Sequence, residues 1–138
     1  SQPCYCGRDD CIGRFVSGTG CAGRFVERHG RGLSPIGIIT AAAEGDVEAE
    51  AHYDHFIQAL ARSVASLINV LDPDVIVLGG GLSNIDRLYL DLPQALTPYL
   101  FSDRCITPMV PARYGDSSGV RGAAWLPSCV EGATTWAI

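Results

Sequence analysis

The strongest constraint on this chain is how little β-sheet it can build. Asp74-Val-Ile-Val-Leu78 is a short, β-branched apolar run, the pattern of a strand buried on both faces, and it leads straight into Gly79-Gly80-Gly81. Thr107 to Ala112 is the one other strand signal, and Pro108 and Pro111 mark it as an edge or irregular strand. Helical patterns surround both. The order helix, strand, helix, strand, helix predicts an α/β fold with parallel strands. Two strands make a poor sheet, because independent stability usually needs three or more, or a covering layer. The chain is therefore expected to be part of a larger domain.

The helices announce themselves through their ends. Ser34 followed by Pro35 is an N-cap with proline at the first helical position, and Gly45 closes that helix. Asp46 then caps a longer one running to about Leu71. Phe56, Leu60, Val64, Leu67, Ile68 and Leu71 recur at spacings of three and four and predict its core-facing stripe. Asp72-Pro73 stops it. A further helix is expected from about Ile85 to Leu100, kinked near Pro93, and a last one from Val120 to about Leu126. Near the start, Cys11-Ile-Gly-Arg-Phe-Val16 recurs as Cys21-Ala-Gly-Arg-Phe-Val26. An echo this short is no solenoid repeat; it reads as two helical turns separated by a break at Ser17-Gly18-Thr19-Gly20. Residues 1–30 thus form one stretch, 31–127 the α/β body, and 128–138 a loose tail.

Composition removes several function classes. The chain has 138 residues, which leaves room for one domain, and 47% of them are hydrophobic, enough for a buried core. All ten basic residues are arginine. With no lysine there is no P-loop lysine, no Schiff base and no lysine general base in this chain. Fifteen acidic side chains bring the net charge to −5, and no basic stripe is available to neutralise phosphates, which argues against nucleic-acid binding. No apolar run approaches the roughly 18 residues of a spanning helix, and no signal peptide opens the sequence. A membrane partner is not expected, and the reading is cytoplasmic.

Three constellations carry the chemistry. Cys4-Tyr-Cys6-Gly-Arg-Asp-Asp-Cys11 is a C-x-C-x4-C cluster, while the other three of the six cysteines, Cys21, Cys105 and Cys129, are scattered. A cluster plus singles suits a metal site better than a disulfide framework. Three thiolates on a tight turn suit a structural tetrahedral Zn²⁺, with Cys21, His29 or a group outside the chain as fourth ligand; the plainer reading is three unlinked thiols. The strand-to-glycine turn, Val75 to Gly81, could bring backbone close to a nucleotide or be only a turn. In Gly115-Asp-Ser-Ser-Gly119, Asp116 or Ser117 is expected to cap the final helix. His52 and His55 read as an exposed helical face, and Arg121 as solvated or paired with a carboxylate.

Taken in order, Cys6-Gly7-x-x-x-Cys11-x5-Ser17-Gly18, Asp72-Pro-Asp-Val-Ile-Val-Leu-Gly-Gly-Gly81 and Gly115-Asp-Ser-Ser-Gly-Val-Arg-Gly-Ala-Ala-Trp-Leu126 closely resemble the C-terminal portion of ROK-family sugar kinases. The bacterial fructokinases of that family are the nearest look, over about residues 3 to 127. The resemblance implies part of an actin/hexokinase-like (ribonuclease H-like) ATPase domain with a zinc-binding loop. It implies transfer of the ATP γ-phosphate to a hydroxyl of fructose or another hexose, with Mg²⁺ and an aspartate base that this chain lacks. The isolated chain is accordingly expected to be inactive. By the same resemblance Cys4, Cys6 and Cys11 are zinc ligands, with a histidine upstream of Ser1 as the fourth, and Gly79, Gly80 and Gly81 contact the adenosine side of ATP.

Two positions depart from the family pattern. Asp10 stands where a glycine is usual and is expected to strain the turn. Gly13 stands where a glutamate hydrogen-bonds sugar hydroxyls, and losing such a bond costs on the order of 1–3 kcal/mol. The family also includes sugar-responsive transcriptional repressors with a similar cluster, so a repressor effector domain is the alternative, and a degenerate sugar-binding or oligomerisation module a third. An incomplete sheet further predicts a homo-oligomer.

Overall fold

The computed structural model describes residues 1–131. Its helices are α1 (Gly13–Val16), α2 (Gly18–His29), α3 (Pro35–Ala43), α4 (Val47–Leu71), α5 (Asp86–Leu96) and α6 (Ser118–Glu131). Strands β1 (Ile76–Leu78) and β2 (Met109–Pro111) lie between them, with short 3-10 turns at Gly81–Asn84, Thr97–Tyr99 and Gly115–Ser117. The strands pair in parallel, Ile76 opposite Met109 and Leu78 opposite Pro111. The Ile76 N–H donates to the Pro108 carbonyl at 2.9 Å and the Ala112 N–H to the Leu78 carbonyl at 2.7 Å. The ladder thus uses carbonyls where the prolines offer no N–H, as an edge strand permits.

The caps fall where the sequence places them. The Ser34 hydroxyl accepts from the Gly37 N–H, and the Asp46 carboxylate from the Ala49 N–H, each at 3.0 Å. The long helix α4 is the spine, with α3 and α5 against it. Phe25, Ile38, Tyr53, Phe56 and Leu88 meet in one core cluster, and Ala61, Val64, Leu92 and Leu96 in a second. Arg87 on α5 ties the layers together. Its guanidinium holds Glu50 of α4 with two hydrogen bonds, 2.6 and 2.9 Å, and reaches Asp91 at 2.9 Å while lying over the Tyr53 ring at 4.3 Å.

Several expectations are corrected. The apolar stripe of α4 drifts: Ala49, Tyr53, Phe56, Ile57, Ala61, Val64 and Ala65 are buried, whereas Leu67 and Leu71 are exposed while Ile68 between them packs on the second core cluster. β1 is buried on one face only, since α4 and α5 cover Ile76 and Leu78 while Val77 stays 58% exposed. The expected break between the two helical segments is Ser17 alone, extended at φ −92° and ψ 156°, and Gly18 to Gly20 already belong to α2. The Ser17 hydroxyl accepts from the Gly20 N–H at 3.0 Å and opens α2 there, and a Cβ on Gly20 would sit 2.4 Å from the Arg14 carbonyl oxygen. Helix α5 runs through Pro93 to Leu96 and ends in a 3-10 turn. Asp116 and Ser117 bond to each other instead of capping α6, whose entry is held by the Ser118 hydroxyl on the Gly115 carbonyl at 2.9 Å. That helix continues to Glu131, beyond its expected end. Residues 132–138 of the expected tail lie outside the described residues.

Candidate functional site

The glycine turn is set by one backbone conformation. Gly80 has φ 82° and ψ −179°, a region that only glycine occupies readily. It turns the chain out of β1 and into the 3-10 turn, whose Ser83 hydroxyl donates back to the Gly80 carbonyl at 2.7 Å. Gly79, Gly80 and Gly81 thereby form the lip of a cavity of about 500 Å³. Opposite them stand the starts of two helices, Ser17-Gly18 of α2 and Ser34-Pro35-Ile36 of α3, and Phe56, Leu60 and Leu88 lie on its apolar wall. Among the described residues no titratable side chain lines this cavity. It can bind an apolar, planar group edged by hydrogen-bonding atoms, and it holds no acid or base for proton transfer.

Of the cavity wall, the sequence pattern marked only the glycines. Ser17, Gly18 and Ser34 read as local breaks and caps. Nothing in the linear order says that the ends of α2 and α3 face the turn after β1; packing against α4 brings them there.

The cysteine cluster is a second, separate feature. The chain doubles back through a bridge between Pro3 and Asp9, and Cys4, Cys6 and Cys11 present sulfur atoms all within 4.8 Å of one another. Cys6 Sγ and Cys11 Sγ are 3.4 Å apart. Four sulfurs at about 2.3 Å from a zinc ion would stand roughly 3.8 Å apart, so the three thiols fit three corners of that tetrahedron. They interact strongly. The Arg8 backbone N–H and the neighbouring thiols favour the Cys6 thiolate, whereas sharing hydrogen bonds with Cys6 and Cys4 pushes Cys11 up to about 12. Such a trio ionises together only around a cation. Neither in-chain candidate joins it. No further Cys, His, Asp or Glu group among the described residues completes the set. Cys21 is buried, with its thiol raised by burial, and His29 packs against Phe25 at 4.8 Å.

The two departures also have a geometry. Asp10 adopts φ 54°, the left-handed region, which suits the glycine usual there. Its carboxylate accepts from the Gln2 N–H at 2.8 Å, a local bond that offsets part of the strain. Gly13 opens α1, and a Cβ there would meet nothing within 4 Å, so a longer side chain is sterically admissible.

The histidines correct the expected exposed face. His52 is buried, and its Nε2–H donates to the Cys21 carbonyl oxygen at 2.9 Å, while burial holds the ring below the usual histidine range. His55 alone is exposed. Arg121 forms no carboxylate pair among the described residues and lies over the Tyr114 ring at 4.1 Å.

Residues 1–129 match the ROK family. The chain belongs to the ROK family. Among the relatives of this ROK chain is an N-acetyl-D-glucosamine kinase of Aliivibrio fischeri, 42% identical over 123 residues, 89% of this chain and 41% of that protein. A second, from Photobacterium profundum, is 41% identical over the same shares. The ROK chain thus spans about two-fifths of the length of these curated relatives. It superposes on the ROK hexokinase of Thermus thermophilus with a TM-score of 0.76 at 25% identity, covering 96% of this chain and 45% of that one. The fold is shared with a ROK family glucokinase from Streptomyces griseus, solved with glucose and AMPPNP, at a TM-score of 0.74 and 22% identity, over 91% of this chain and 47% of that one. The α/β layers are thus those of the actin/hexokinase-like ROK structures.

Proposed function

We propose that the ROK chain is the nucleotide-side, C-terminal part of an ATP-dependent hexose kinase that transfers the ATP γ-phosphate to a sugar hydroxyl. The observation that carries this reading is the uncharged cavity between the Gly79–Gly81 lip and the starts of α2 and α3. A purine and its ribose match it, because flat apolar faces fill the Phe56–Leu60–Leu88 wall and backbone groups at the glycine lip edge the ring. The kinase names of the relatives support the same class and favour it over a repressor. Mg²⁺ bound with ATP would supply charge neutralisation at the phosphates. The chain's own part is to seat and orient the nucleotide.

Cys4, Cys6 and Cys11 would hold a structural Zn²⁺ with a fourth ligand from outside the described residues. The metal would fix the loop that leads into α1. Fructose is the proposed acceptor, on the resemblance of Asp116–Leu126 to fructokinases; N-acetyl-D-glucosamine is the second reading, carried by the relatives. A cytoplasmic location is part of this reading, and the five cysteines without a disulfide among the described residues support it. The open face of the strand pair, with Val75, Val77 and Val110 exposed, supports self-association.

The test is coupled ADP release by the full-length protein with fructose, N-acetyl-D-glucosamine and glucose. Turnover is expected with fructose and only background from the isolated 138-residue chain. Absence of sugar-dependent ADP release would overturn the kinase reading, and a higher kcat/KM for N-acetyl-D-glucosamine would overturn the fructose assignment.

A further inference from the structure

A second cavity, of about 380 Å³, lies away from the glycine lip, between α1, α2 and α4. Its character is opposite to the first. Arg24 and Arg28 of α2, Arg62 of α4 and the two histidines His52 and His55 line it, with Glu27 as the one acidic group in its wall. Glu27 is already engaged by Arg14 at 2.8 Å and acts on Arg24 only at longer range, so one shared carboxylate stands against the three arginines. Among the described residues none of Arg24, Arg28 and Arg62 has a carboxylate partner, although the chain carries fifteen acidic side chains and a net charge of −5. Arg24 lies over the Phe15 ring at 4.7 Å and Arg62 donates from Nε to the Gln58 carbonyl at 3.2 Å, so both side chains are held in place while their charges lack a carboxylate partner among the described residues.

The polar atoms around it are unsatisfied as well. Arg24 Nε and His52 Nδ1 are buried without a hydrogen-bond partner among the described residues, and His52 as a whole is only 2% exposed. The other His52 nitrogen is committed to the Cys21 carbonyl. Buried polar atoms are nearly always paired with protein or water, so these two orphans mark a wall with donor and acceptor capacity to spare for a polar ligand. Arginine forks match oxyanions. A neutral imidazole nitrogen accepts from an O–H, so a phosphate bearing both ionised and protonated oxygens can satisfy both kinds of group.

We propose that this cavity binds a small phosphorylated molecule, at a site distinct from the glycine-lipped cavity and independent of its nucleotide assignment. The probes are inorganic phosphate and pyrophosphate, titrated calorimetrically into the intact protein in magnesium-free buffer. Saturable binding is expected, weakening steeply as salt rises. Arg28→Gln and Arg62→Gln each change an exposed side chain, so the fold should hold, and each should lower affinity about tenfold. Arg24→Gln should lower it further. No saturable binding by the wild type, or binding that Arg28→Gln and Arg62→Gln leave unchanged while their melting temperatures match the wild type, would overturn the proposal. In the latter case the anion sits elsewhere.

Discussion

Replacing Gly80 by alanine tests the turn on which the first cavity depends. With φ 82° and ψ −179°, the position lies outside the space an L-residue tolerates, and holding one there costs on the order of 1–3 kcal/mol. A Cβ at Gly80 would meet no atom within 4 Å, so the whole effect is backbone strain and none of it is a clash. Taking about 2 kcal/mol as the centre, the melting temperature should fall by roughly 6–10 °C for a domain of this size. Gly81 provides the control. It too has open space around its Cβ position but has no positive φ, so Gly81→Ala should be neutral or stabilising by about 0.4–1 kcal/mol. Calorimetric melts of wild type, Gly80→Ala and Gly81→Ala, with and without ATP, separate the cases. Nucleotide affinity should fall at least about tenfold in Gly80→Ala, as the lip relaxes to relieve the strain. If Gly80→Ala and Gly81→Ala melt together and bind ATP alike, the lip is not defined by its left-handed glycine, and this account of the cavity fails.

Three further outcomes follow from the cluster and its neighbours. Asp10→Ala keeps the left-handed strain and loses the bond from the Gln2 N–H, so chemical denaturation should show a loss of about 1–2 kcal/mol, whereas Asp10→Gly should be close to neutral. In the full-length protein, elemental analysis should find one zinc per chain and less than a tenth of that in Cys6→Ser; equal metal content in both would remove the cluster as its site. Gly13→Glu places a carboxylate in open space at the start of α1, and should lower the KM for sugar by about tenfold in the full-length enzyme, with the KM for ATP unchanged.

What the sequence discloses is what local chemistry decides. Ser34-Pro35 and Asp46 close their own helix ends, so both starts were readable, and the parallel pairing of β1 with β2 followed from the helical crossover between them. The cysteine spacing likewise fixes three sulfurs on one turn. Three of the differences concern what covers an element. Val77 looks like a buried strand residue, yet one face of the pair is bare; Leu67 and Leu71 continue the spacing of the helical stripe but stay exposed, while Ile68 packs on the core and Asn69 bonds the Tyr99 carbonyl. His52 and His55 look equivalent at a spacing of three, but α2 closes over one and not the other. The arginine-lined cavity was invisible for the same reason, since its arginines and histidines come from α2 and α4 and meet only in the fold.

The absence of lysine first excluded chemistry; in the fold it marks what the arginines do. Arg87 shows why a simple ammonium would not serve. One guanidinium meets both Glu50 oxygens, bonds Asp91 through its third nitrogen and lies over the Tyr53 ring, whose hydroxyl itself donates to Asp91 at 3.1 Å. A lysine could satisfy one carboxylate but neither the fork nor the stack. Both partners are about a third exposed, so solvent screens the pair and its net contribution is discounted to about 1 kcal/mol. Arg87→Lys should therefore cost about that much at neutral pH. The Arg87 guanidinium holds Glu50 below the usual carboxylate range. A group depressed in the folded state contributes fully above its unfolded pKa, and that contribution is lost as pH falls through the folded one. The stability gap between wild type and Arg87→Lys should consequently be widest at neutral pH and close under acid, below about pH 4. A gap that stays constant from pH 7 to pH 3 would assign the loss to packing on Tyr53 and not to the ion pair.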